Sequence, residues 1–287
     1  MNLNLNLKLK RQLHEEGQSR SSRSCPIGVF DSGVGGLTVV AALQRYLPHE
    51  NIIYLGDTAR VPYGGKSQET VTRYSKEIAD LLFEQEAKIL VVACNTASAL
   101  AVSDLQKIYK IPIQGVIEPG AAAAIQATRH GKIGVMGTKA TIASNAYTHA
   151  IQELQSHFQV TSLACPLLVP LIEEGLFEDE ITEAILRRYL APMLAEEIDA
   201  LVLGCTHYPL LKKMIARIAG PEVALVDSAE NCALAVQSLL TEHHLATNNT
   251  ALGQLQVMLT DTSESFLHLA AGALDLEINK VTIVKLH

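Results

Sequence analysis

Ile89-Leu90-Val91-Val92-Ala93-Cys94-Asn95-Thr96 is a short apolar, β-rich run that stops at a cysteine followed by polar residues. About 110 residues later Ala200-Leu201-Val202-Leu203-Gly204-Cys205-Thr206-His207 repeats it. Both read as a buried strand, a small residue, Cys, two polar residues and a helix start. Upstream, Gly28-Val29-Phe30-Asp31-Ser32-Gly33 is echoed by Gly134-Val135-Met136-Gly137-Thr138-Lys139. Around these stretches short apolar runs alternate with helical patterns. Strands are expected at Ile27–Phe30, Asn51–Leu55, Ile89–Ala93, Ile113–Ile117, Ile133–Met136, Ala200–Leu203, Val223–Val226 and Gln256–Thr260. A helix is expected from Ser67 to Phe83, with Val71, Tyr74, Ile78, Leu81 and Leu82 on one stripe. Another runs from Asp179 to Ala191, with Ile181, Ile185 and Tyr189 at four-residue spacing and Pro192 as its break. Alternation of this kind predicts an α/β fold with parallel sheets. The echo predicts two similar parallel-sheet domains related by a pseudo-twofold, with the active site in the cleft between them.

A residue just after a parallel strand lies at the ligand-binding edge, and the helix that follows presents unpaired N–H groups and the positive end of its dipole. A thiolate or a substrate carboxylate is stabilised there. Two such halves, face to face, aim Cys94 and Cys205 into one cleft. One thiolate as base and one thiol as acid can take a proton from one face of a carbon and return one to the other face, which inverts the centre. Cys25, Cys165 and Cys232 lack this context and read as packing. The Asp31-Ser32-Gly33-Val34-Gly35-Gly36 turn suits an anion, but its Asp suits an ammonium group or a proton relay better. Glu173 and His207 can move protons for a thiol; apart from the cysteines they would read as a surface carboxylate and a helix-start cap. No GxGxxG or GxxxxGK[ST] pattern is present and Cys205-Thr206-His207 lacks the further ligands of a metal site, so neither cofactor nor metal is expected.

Composition narrows the class. The chain has 287 residues, of which 48% are hydrophobic and 18% charged, with 23 Lys and Arg against 30 Asp and Glu, a net charge of −7. That is core material for two compact domains, and a poor balance for binding nucleic acid. No apolar run is long enough for a membrane span, Met1 to Lys10 has no signal-peptide core, and five dispersed cysteines fit a reducing compartment, so a cytoplasmic protein is expected. Residues 1–24 carry five Lys and Arg against two Glu and read as a disordered extension. The expected domains are residues 25–117 with 228–287, and residues 118–227.

Four blocks carry a more specific resemblance: Phe30-Asp31-Ser32-Gly33-Val34-Gly35-Gly36-Leu37, Gly56-Asp57-Thr58-Ala59-Arg60-Val61-Pro62-Tyr63-Gly64, Ala93-Cys94-Asn95-Thr96-Ala97-Ser98 and Gly204-Cys205-Thr206-His207-Tyr208-Pro209-Leu210. In order and spacing they closely resemble the glutamate racemase family, over about Ile27 to Leu240. The resemblance implies cofactor-independent interconversion of L- and D-glutamate, supplying peptidoglycan synthesis. It marks Cys94 and Cys205 as the acid/bases, with Asp31 assisting Cys94 and Glu173 and His207 assisting Cys205. Substrate contacts carry over to Asp31, Ser32, Tyr63, Gly64, Asn95, Thr96, Thr206 and His207, with Thr138 as a further candidate. Some members carry an N-terminal extension and depend on UDP-N-acetylmuramoyl-L-alanine, a candidate activator here; others lack it and form dimers, so monomer and homodimer both stay open. The Gly56–Gly64 block looks more like the unextended members. Related two-cysteine racemases of aspartate or hydantoins are the nearest alternative, although the aspartate enzymes usually carry Glu where this chain has His207. Binding of DNA gyrase, said of some relatives, is a further alternative, and a hydrolase built on Cys94 alone is another.

Overall fold

The computed structural model describes residues 23–262, 276, 278 and 280–286. The expected extension therefore lies outside the described residues up to residue 22. Arg23 is tied to the fold instead: its carbonyl accepts from Lys88 Nζ at 2.8 Å, and its guanidinium donates to the His244 carbonyl and to Asn248 Oδ1.

Ten strands and ten α-helices are described: β1 Ile27–Asp31, α1 Leu37–Tyr46, β2 Ile52–Gly56, α2 Gln68–Glu84, β3 Ile89–Val92, α3 Asn95–Ile108, β4 Ile113–Gly115, α4 Ile117–Ala127, β5 Lys132–Gly137, α5 Lys139–Ala143, α6 Ala146–Leu154, β6 Gln159–Ala164, α7 Leu168–Glu173, α8 Glu180–Ala195, β7 Ala200–Gly204, α9 Lys212–Ala219, β8 Ala224–Asp227, α10 Ser228–Glu242, β9 Leu255–Leu259 and β10 Val281–Ile283. They form two wholly parallel sheets, β10-β9-β2-β1-β3-β4 and β6-β5-β7-β8. Counted within each half, the first four strands stand in the same order, second-first-third-fourth. The strand order reverses between first and third in both, and that switch point opens a crevice at the carboxyl ends of β1 and β3, and of β5 and β7.

The inner strands of each sheet are buried on both faces, so β1, β2, β3 and β7 are continuous apolar runs. Ile27, Val29, Ile89 and Val91 pack on α1 and α10, while Phe30, Leu55, Leu90 and Val92 pack on α2 and α3. In the smaller sheet Met136, Leu201 and Leu203 face α7, α8 and α9, and Ile133, Val135 and Val202 face α4 and α6.

Three expectations change. Helix α8 runs through Pro192 to Ala195, because Leu186, Leu190 and Met193 anchor both sides of the proline in the core and only one late backbone bond is lost. Its core face is Thr182, Leu186, Leu190 and Met193; Ile181 of the expected stripe is 59% exposed. The run at Ile113 ends at Gly115, and Ile117 opens α4. Strands β6 and β10 were not expected.

Candidate active site

The two switch points face one another across a cavity of about 350 Å³. From the larger-sheet half it is lined by Ser32, the loop Val61–Gly65, Cys94, Asn95 and Thr96; from the other by Thr138, Lys139, Cys165, Pro166, Glu173, Cys205, Thr206 and His207. Of the residues singled out from sequence, only Asp31 does not line it.

Cys94 is the N-cap of α3, so the Ala97 amide of the helix's first turn favours its thiolate. Its thiol donates to Ser32 Oγ at 3.7 Å. Burial, then the charge of Asp31, pushes this thiol up to about 12, against the pull of the amide and the serine. Asp31 closes β1, wholly buried, and accepts from the Gly33 amide at 3.1 Å and, from the opposite half, the Thr206 hydroxyl at 3.4 Å. Burial raises the pKa of this carboxyl, opposed by His207 and by the Gly33, Gly36 and Ser32 amides.

Cys205 follows β7 and is 3.8 Å from His207 Nδ1, and His207 Nε2 is 3.2 Å from Glu173 Oε1. His207 is 3% exposed, and its ring bridges the cysteine and the glutamate rather than capping the turn at Tyr208–Leu211. Burial disfavours the imidazolium, but hydrogen bonds to Cys205 and Glu173, with the charges of Cys205 and Asp31, outweigh it and lift the pKa to about 10. The side chain is thus held as a cation beside the sulfur.

Polar groups of the wall are aimed by their neighbours. Asn95 Oδ1 accepts from the Tyr147 hydroxyl at 2.7 Å, while its buried Nδ2 has no partner. The hydroxyls of Thr96, Thr138 and Thr141 join one another at 2.9–3.2 Å. Tyr63 is buried and its hydroxyl is engaged by Asp57, which also holds Arg60 and Thr260, so the Val61–Gly65 loop faces the cavity with backbone and ring rather than with that hydroxyl. Gly64 lies so near Thr138 that a Cβ there would come within 2.7 Å of the Thr138 Cβ.

Cys165 was missed. It directly follows β6 and lines the cavity, so the strand-end context it was expected to lack is present. Its thiol donates to the Leu163 carbonyl at 3.6 Å, and burial, then the charge of Cys205, pushes it up to about 12. Recognition of Gln159–Ala164 as a strand would have found it. Among the described residues no group of three or more His, Cys, Asp or Glu is arranged to hold a metal ion, and no helix is long and apolar enough to cross a membrane.

Paired strand-end thiols across a shared crevice define a class. Residues 28–236 match the family model for Asp/Glu/hydantoin racemases, and the chain belongs to that family. Within it the similarity is to the glutamate racemases. The enzyme of Chlorobaculum tepidum is 47% identical over 268 residues, 93% of this chain and 98% of the relative. Among solved structures, glutamate racemase isoform RacE1 from Bacillus anthracis superposes with a TM-score of 0.88 at 41% identity, over 92% of this chain and 98% of that one. Glutamate racemase from Francisella tularensis, solved with D-glutamate, gives 0.86 at 40% identity and the same coverage. These likenesses assign the chain glutamate racemase activity, an isomerase reaction.

Proposed function

We propose that the chain interconverts L- and D-glutamate by direct proton transfer between two thiols and Cα, without a cofactor, in the cytoplasm, where it supplies D-glutamate for peptidoglycan. The observation that carries this is the placement of Cys94 and Cys205 after the third strand of each half, on opposite sides of one cavity. In one direction a thiolate takes the Cα proton, leaving the electron pair on carbon and its carboxylate, and the facing thiol then gives its proton to the other side of Cα. In the other direction the roles exchange, and the proton count balances without an outside acid.

The two arms differ. Beside Cys205, the imidazolium of His207 donates to the sulfur and favours its thiolate, and Glu173 holds that imidazolium from the other side. Beside Cys94, Asp31 supplies charge and Ser32 a hydrogen-bond acceptor for the thiol. Asp31 acts as a relay behind the wall rather than as a substrate contact, since it does not line the cavity. Substrate carboxylates fit the donors of Asn95, Thr96 and Thr138, and Gly64 brings backbone to the same wall. Thr206 completes it and links the Cys205 turn to Asp31.

The test is circular dichroism of D-glutamate with purified protein and nothing added. The signal should decay to zero with glutamate conserved, and Cys94→Ala or Cys205→Ala should stop the decay. Consumption of glutamate, a need for pyridoxal phosphate, or full activity of either variant overturns the reading.

A further inference from the structure

Tyr147 comes from α6, and its side chain reaches the neighbours of both thiols. Its hydroxyl donates to Oδ1 of Asn95, the residue after Cys94. Its ring lies beside Gly204, the residue before Cys205, so closely that a Cβ there would stand 3.2 Å from ring Cε2. On another side Gly120 of α4 leaves the ring its place, since a Cβ there would be 3.1 Å from it. The ring is 2% exposed and cannot swing away without disturbing both halves.

An asparagine amide has an acceptor end and a donor end, and its neighbours decide which way it points. Tyr147 donates to the carbonyl end. The NH2 end of Asn95 is left buried, without a protein partner, on a residue that lines the cavity. A buried donor in that state is stabilised by an acceptor. In this cavity the acceptor with the right chemistry is a carboxylate oxygen of the amino acid.

We propose that Tyr147 is a positioning residue for racemisation: by holding the Asn95 carbonyl it turns Asn95 Nδ2 toward the cavity as a donor to a substrate carboxylate. This rests on the reading of the cavity as the substrate site. Tyr147 touches no reacting atom and acts through Asn95. Its bond contributes to binding of both enantiomers, so its loss raises KM and spares kcat.

The experiment measures KM and kcat in both directions for Tyr147→Phe, Asn95→Ala and the double variant, with melting temperatures for each. Tyr147→Phe should raise KM for L- and D-glutamate by about three- to tenfold, the range for one buried hydrogen bond, with kcat within about twofold and the melt close to that of the parent. The double variant should be no worse than Asn95→Ala, because the tyrosine has nothing left to orient. An unchanged KM in Tyr147→Phe overturns the proposal, and so do effects that multiply in the double variant. Should Tyr147→Phe not fold, Asn95→Asp decides. It keeps the acceptor for Tyr147 and removes the donor, so its KM must rise with the melt unchanged, and an unchanged KM overturns the proposal. If Asn95→Ala and Cys94→Ala are both fully active, the cavity is not the substrate site and both readings fall. If those two are impaired and Tyr147→Phe is not, only the role of Tyr147 falls.

Discussion

Gly35, in the turn after β1, lies against His207 of the other half: a Cβ on Gly35 would stand 2.5 Å from His207 Nδ1 and 2.3 Å from Thr206 Oγ1. The absent side chain is what lets the imidazole sit between Cys205 and Glu173. Gly35→Ala must therefore push the His207 turn aside. A shift of about 1 Å at a reacting group costs about a hundredfold in rate, so kcat should fall by about that factor while the protein stays folded. A variant with parental kcat would show that the turn has slack the geometry does not reveal.

The strands around the site were legible because double burial leaves them uniformly apolar, and Cys94 and Cys205 stood out as polar-flanked ends of such runs. Strand β6 was not legible for the converse reason. It is an edge strand with no fully buried residue, and Gln-Val-Thr-Ser-Leu-Ala mixes polar and apolar side chains without a clean period. Cys165 was lost with it. The core face of α8 was misplaced by one residue because Ile181, Ile185 and Tyr189 mimic a stripe, whereas Thr182 is buried through its hydroxyl bond to the Leu176 carbonyl. The reach of Tyr147 to Asn95 joins elements that no local pattern relates.

The cysteines sort by function. Cys94→Ala and Cys205→Ala should each abolish racemisation without loss of fold, since a single thiol serves only one face of Cα. Cys232→Ala, on the buried face of α10 and away from the cavity, should remain active. Cys165→Ala should also turn over, because its thiol donates to the Leu163 carbonyl rather than to a group of the Cys94 or Cys205 arm, although its place on the wall should show as a higher KM. Steady-state rates in both directions check all four. A Cys165→Ala variant as inactive as Cys94→Ala would mean that a third thiol is required.

His207 links stability to pH. Its folded pKa, about 10, lies above the unfolded value near 6.5, so the folded state binds the proton more tightly. That stabilisation is fully present below pH 6.5 and is lost as pH rises through about 10. The melting-temperature gap between the parent and His207→Gln should therefore be widest near pH 6 and narrow steadily toward pH 10. A gap that widens with pH would contradict the imidazolium assignment.

Beneath the larger sheet, Lys88 Nζ and Glu50 Oε2 are 2.5 Å apart with both side chains almost wholly buried, and Glu50 Oε1 accepts from the Thr247 amide. Lys88→Met leaves a buried carboxylate without its cation, a loss of about 3–5 kcal/mol. Lys88→Met with Glu50→Gln should recover part of it. Urea denaturation gives both values; a Lys88→Met variant as stable as the parent would show that water reaches the carboxylate.

Truncation to Arg23 should leave rate and melting temperature unchanged, with and without added UDP-N-acetylmuramoyl-L-alanine. The bonds of Arg23 to Lys88, His244 and Asn248 stay in place, and Lys88 precedes β3 whereas Cys94 follows it, at opposite ends of the strand. A melt lowered by about ten degrees or more, a loss of roughly 2–5 kcal/mol in a chain of this size, would refute this.

The three hydroxyls of Thr96, Thr138 and Thr141 have a consequence for turnover in two directions. In each of their contacts either oxygen can be the donor, so the relay of O–H bonds can reverse its polarity by rotating hydrogens alone. A mirror-image pair of ligands asks the same wall for different arrangements of donors and acceptors. Here that exchange needs no heavy atom to move, which makes the wall ambidextrous.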